Sequence, residues 1–140
     1  MRTLLLAFLS LLLVTYSNNS AIASTNINTI PDCIVLTHCV RVDWIVTNVD
    51  DSFEAVVEAV ASTPRTKIIE QTDSYLHAEA TTKWMRYVDD LEINLIHNKN
   101  LLQIRSESRV GLGDMGVNQK RIDDLADRLK KIKIIKEAKS

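Results

Sequence analysis

Hydrophobic positions along the chain change their spacing from one stretch to the next, and each change marks an element. Leu4 to Val14 is an apolar run broken only by Ser10, and Ser24 to Asp32 is polar. Ile34 to Val46 mixes apolar and β-branched residues, which suits a short strand or an extended lead-in around Val40-Arg41-Val42-Asp43-Trp44. From Asp50 or Asp51 the spacing becomes helical. Phe53, Val56, Val57 and Val60 recur at three and four residues, while Glu54 and Glu58 take the other side. Asp51, with Glu54 three residues later, reads as a capping-box-like start. Pro64 disfavours helical backbone in the residue before it, so this helix should stop by Thr63.

The period then shortens to two. Arg65 to Thr72, Ser74 to Trp84, Leu91 to His97 and Leu101 to Val110 read as strands, with turns at Asp73-Ser74, Asp89-Asp90 and Asn98-Lys99-Asn100. Connections this short make an antiparallel meander. Gly111, Gly113 and Gly116 loosen the backbone before a last helix from about Asn118 to Ile135, with Ile122, Leu125, Leu129 and Ile132 on one face. Its lysines gather at the C-terminal end, where positive charge complements the helix dipole. The expected fold is α+β: a four-stranded antiparallel sheet with two helices covering one face.

Composition alters this picture mainly at the N-terminus. Arg2, the 11-residue apolar run and Ala21-Ile22-Ala23 together match a signal peptide cleaved after Ala23, too short an apolar stretch for a permanent span. Removing 23 residues from 140 leaves a 117-residue single domain, residues 24–140, with no stable membrane anchor. The whole chain carries 17 basic and 18 acidic residues, which excludes a strongly basic nucleic-acid protein. Trp44, Trp84 and Tyr87 are also too scattered for a base-stacking platform.

Export opens three readings of Cys33 and Cys39. They form a disulfide bracing the N-terminal segment, remain free or buried thiols, or carry chemistry. The spacing is not C-x-x-C, and a zinc site completed by His38 has poor geometry because His38 adjoins Cys39.

Alternation places Tyr75, His77, Glu79 and Thr81 on one sheet face, together with Glu92 and Asn94 and with Gln103, Arg105, Glu107 and Arg109. Three readings follow: a solvated face with weak ion pairs, a paired polar network that fixes strand register, or a recognition surface. In the last, Arg105 or Arg109 grips a carboxylate or phosphate of a small anionic ligand or a protein partner. A catalytic alternative uses His77 as base with Glu79 or Glu92, in a small hydrolase-like or metal-assisted enzyme, although no nucleophile with a partner accompanies it. No cofactor or defined metal set is read. Gly111 to Gly116 lacks the Walker and Rossmann spacings and is safer as a strand-to-helix turn. Asp114 or Asn118 would cap the helix that follows, whose start with Arg109 and Arg121 suits an anion.

Beyond periodicity, Tyr75 to Glu79, Asp89-Asp90-Leu91-Glu92 and the Arg105 to Arg121 string Arg-Ser-x-Ser-Arg-x-Gly-x-x-Asp-x-Gly-x-Asn-x-x-Arg resemble the family called domain of unknown function 1499. The resemblance runs from about Cys33 to Leu129, and its wording looks like a cyanobacterial and plastid branch. It implies no activity. It does imply an extracytoplasmic setting, periplasm or thylakoid lumen, with secretion as the alternative.

Overall fold

The alternating and helical segments resolve into five strands and two helices in a computed structural model that describes residues 30–136. In chain order these are β1 (Cys39–Ile45), α1 (Val49–Ala61), β2 (Thr66–Gln71), β3 (Tyr75–Thr81), β4 (Val88–Ile96), β5 (Leu101–Ser108) and α2 (Val117–Lys131). All neighbouring strands are antiparallel, and the sheet order is β1-β5-β4-β3-β2. The expected leader lies outside the described residues. The α+β class and the meander stand, but the sheet has five strands rather than four. The segment read as strand or lead-in is a full edge strand, because all of its residues from Cys39 to Ile45 pair with β5.

Other boundaries also differ from expectation. Asp89-Asp90 is not a turn; both residues lie in β4, and the reversal is made by Thr82 to Tyr87, closed by Thr82 N donating to Tyr87 O at 2.8 Å. Asn48, not Asp51, caps α1: its side chain accepts from Asp50 N at 3.1 Å and its amide donates to Asp51 at 2.7 Å. α2 ends at Lys131 rather than Ile135. Lys133 adopts positive φ, and the chain then runs extended beside the end of β1, where Thr47 N donates to Ile134 O and Val46 bridges Ile135. Asn98-Lys99-Asn100 does turn the chain, through one 3-10 turn ended by Asn100 in the left-handed region.

Both helices pack on one face of the sheet. α1 contacts β2 and α2, and α2 also crosses β5 and β1. Their inward stripes, Val56 and Val60 from α1 and Ile122, Leu125 and Leu129 from α2, meet Leu76, Ile93, Leu102 and Ile104 of the sheet, all essentially fully buried. Truncating one such leucine to alanine costs about 2–5 kcal/mol. A polar clasp joins the helices: Arg128 of α2 donates to Ala59 O and Thr63 Oγ1, both at 2.8 Å, so its charge sits at the carbonyl end of α1. Of the three readings of the cysteines, the disulfide is present; Cys33–Cys39 ties the segment before β1 to the first residue of that strand. None of the described helices is long and apolar enough to cross a membrane.

Candidate functional site

Register assembles the polar face row by row, since antiparallel partners on one face are direct neighbours. Arg41, Arg105, Glu92, His77 and Glu70 form one row across all five strands. Glu107, Asp90 and Glu79 form the next, and Gln103, Asn94 and Tyr75 the one on the other side. The residues grouped on this face by alternation are therefore brought together. The face is not the open, solvated surface that alternation suggests, because Tyr75, Asn94 and Gln103 are buried.

Its charges are spent on one another. Arg109 Nε and Nη2 donate to the two oxygens of Asp90 at 2.9 and 2.7 Å, and Nη2 also reaches Glu79 at 2.7 Å. Arg105 is held by Glu92 at 2.6 Å and by Glu107. Tyr75 Oη donates to Glu92 at 3.1 Å. His77 Nε2 lies 2.7 Å from Asp90, so the carboxylate that orients it is neither Glu79 nor Glu92, the two partners expected from sequence. Hydrogen bonding from Arg109, reinforced by His77, holds the Asp90 carboxyl below its usual range despite partial desolvation. Burial, then the charge of Glu92, pushes the Tyr75 phenol well above its ordinary value.

The helix start expected to hold an anion beside both Arg109 and Arg121 does not bring the two together: Asn118 and Arg121 lie on the opposite side of the sheet from Arg109, with Ser106 and Ser108, as strand parity expects of the serines. Asn118 is fully buried. Its Nδ2 donates to His38 O at 2.9 Å and Ser108 Oγ at 3.0 Å, while its Oδ1 accepts from Ser106 Oγ at 2.7 Å and from Arg121. Arg121 reaches on to Asp89 Oδ2 at 2.6 Å. Asp114 takes the N-terminal role foreseen for it. Gly116 occupies the cap position, and the Asp114 carboxylate accepts from Gly116 N at 3.0 Å and Asn118 N at 2.8 Å. Desolvation would raise the Asp114 pKa, but these backbone hydrogen bonds outweigh it and hold the pKa below the usual value.

Above this network opens a cavity of about 1050 Å³ that sequence reasoning missed. Its wall comes from the end of α1, the Thr82 to Tyr87 reversal, the glycine turn and the outer flank of α2. Trp84, Met85, Tyr87, Val110 and Met115 line it and are exposed, with Trp84 at 83 % and Met115 at 96 %. Large exposed apolar side chains gathered around a concavity of this size are the features by which a candidate binding site is recognised. One signal was legible. Met115 is a large apolar residue inside the glycine turn, where strand alternation cannot bury it.

Asp89, 1 % exposed, is also among the lining residues, and its Oδ1 has no hydrogen-bond partner among the described residues. Charged lining side chains number five basic (Arg65, Lys83, Lys120, Arg121, Arg128) and three acidic (Asp89, Asp114, Asp124), so the wall is net positive. Lys120 is engaged by Asp124 and Arg128 by α1, whereas Lys83 stands over the Trp84 ring, 5.1 Å from its centroid. Among the described residues, no three His, Cys, Asp or Glu side chains converge as a metal site.

A family model described as "Protein of unknown function (DUF1499)" matches residues 18–129, beginning before Cys33, where the resemblance in wording starts. No curated protein matches the chain.

Proposed function

The chain belongs to the DUF1499 family, and from that premise we propose that it is a small exported binding protein whose ligand sits in the cavity between the glycine turn and the Thr82 to Tyr87 reversal. The carrying observation is the ring of exposed large apolar side chains around that cavity. Such surface in a polar medium is offset when an apolar body covers it, at roughly 25 cal/mol per Å² removed from water. The signal-like N-terminus supports export, and the wording of the sequence supports a cyanobacterial or plastid branch acting in the periplasm or thylakoid lumen.

Recognition of an anion on the polar face of the sheet makes a heavier demand. An incoming carboxylate or phosphate has to displace Asp90 and Glu79 from Arg109, or Glu92 and Glu107 from Arg105. The cavity asks for no such exchange. Catalysis by His77 is likewise less supported, because its Nε2 is already taken up by Asp90.

Titration with the neutral apolar dye N-phenyl-1-naphthylamine tests the cavity. Saturable enhancement of dye fluorescence is expected, weakened about tenfold by Trp84→Ser, the loss of one large apolar contact. Arg109→Gln, on the other side of the sheet, should leave the titration unchanged. Absence of saturable binding, or loss of it in Arg109→Gln alone, would overturn the assignment.

A further inference from the structure

The lining of the cavity is not wholly apolar, and one of its polar members is a buried carboxylate. Asp89 is buried, one of its oxygens is held by Arg121 at 2.6 Å, and the other has no hydrogen-bond partner among the described residues. Leaving a buried carboxylate oxygen unpaired forfeits its hydration with nothing in return, so a site that retains one is prepared to accept a hydrogen bond. Resting on the cavity being the binding site, we infer that its ligand is an apolar molecule bearing a neutral hydroxyl, which donates to Asp89 Oδ1 while its hydrocarbon body lies along Trp84, Tyr87 and Met115.

The charge balance selects a neutral donor over the two charged alternatives. Arg121, itself mostly buried, already neutralises Asp89, so an ammonium group arriving there would add a second cation to a net positive wall. A carboxylate or phosphate arriving at the same point would face Asp89 Oδ1 with lone pairs on both sides and no proton between them. A hydroxyl supplies the missing proton and brings no charge to the buried pair. The network behind Asp89 keeps the acceptor fixed: Arg121 is held by Ser106 Oγ at 2.7 Å and by Asn118, which is anchored in turn to the His38 carbonyl and to Ser108. An acceptor held this rigidly loses little freedom when a ligand arrives.

A chain-matched series tests this on the unmutated protein by displacement of bound N-phenyl-1-naphthylamine. 1-Decanol should bind about 10- to 100-fold more tightly than decyl methyl ether, the ratio set by one hydrogen bond to a charged acceptor. It should also outcompete decylammonium and decanoate. Asp89→Asn supplies the second reading. An asparagine that keeps its oxygen toward Arg121 presents an N–H donor to the cavity, so the preference for alcohol over ether should shrink to about twofold or reverse. Equal binding of decanol and its methyl ether overturns the inference while leaving the cavity as binding site. Preference for decylammonium or decanoate also overturns it. Failure of the dye itself to bind removes the cavity reading, and the inference with it.

Discussion

Asp89 and Asp90 are neighbours in β4, yet their carboxylates leave opposite faces of the sheet and end on different arginines. Asp89 meets Arg121 at 2.6 Å beneath the helices, and Asp90 meets Arg109 through both oxygens on the other side. The alternation of side chains along a strand is what allows two adjacent acids to avoid each other. One ion pair is buried in the layer between sheet and helices. The other stands on a partly exposed face.

That difference predicts unequal costs. Asp89→Ala strands a mostly buried guanidinium and should destabilise by about 3–5 kcal/mol, read as a lowered urea midpoint. Replacing both partners, as Asp89→Leu with Arg121→Met, should recover much of that loss. Asp90→Ala should cost far less, since solvent screens its partner. Equal midpoints for the two single variants would contradict the assignment of faces.

Acid should weaken the fold through the same kind of group. The pKa values of Asp90 and Asp114 are lowered in the folded chain, so their contribution is complete above the unfolded value, about pH 4, and is lost as pH falls through the lower folded values. The gap in urea midpoint between the natural protein and Asp114→Asn should be widest above about pH 4 and close below it. A gap independent of pH would show that Asp114 is not held ionised by the helix amides.

Asn118 should tolerate almost nothing. It serves four partners from a fully buried position, and Asn118→Ala leaves the His38 carbonyl and two serines with fewer bonds. A loss of about 2–4 kcal/mol is expected in thermal or urea unfolding. A change under about 0.5 kcal/mol would mean that water replaces the amide.

Reduction of Cys33–Cys39 should act locally. Opening so small a ring costs about 2 kcal/mol in the chain-entropy account. Amide exchange should rise in β1, where Cys39 begins the strand, and change little in β3 and β4. Uniform loss of protection across the sheet would show that the bond braces the whole fold.

Most of the fold was legible because its elements are amphipathic with clean periods. Leu76-Ala78-Ala80 and Leu91-Ile93-Leu95 point where alternation says they must, and Phe53, Val56 and Val60 mark α1. β1 was only half legible. Its residues alternate, but what makes them a strand is pairing with β5, some sixty positions later, and local pattern carries no trace of that partner. Asp89-Asp90 looked like a turn because adjacent acids favour turns; each acid is instead matched by an arginine that only the folded chain brings near. The polar face was legible as a grouping, but its internal pairing was not. The cavity was all but invisible for a simpler reason: its wall is gathered from separate stretches between Val60 and Arg128.

The strand order also sets a timetable. Among the described residues, β1 precedes every other element, but its only strand neighbour in the sheet is β5, the last of the described strands. A polypeptide emerging N-terminus first must therefore carry β1 unpartnered until Leu101–Ser108 has followed it, while β3 to β5 can each zip to the strand just before. Of the described strands, the first to appear is the last that can be sealed, and it stays unlatched until β5 has been made.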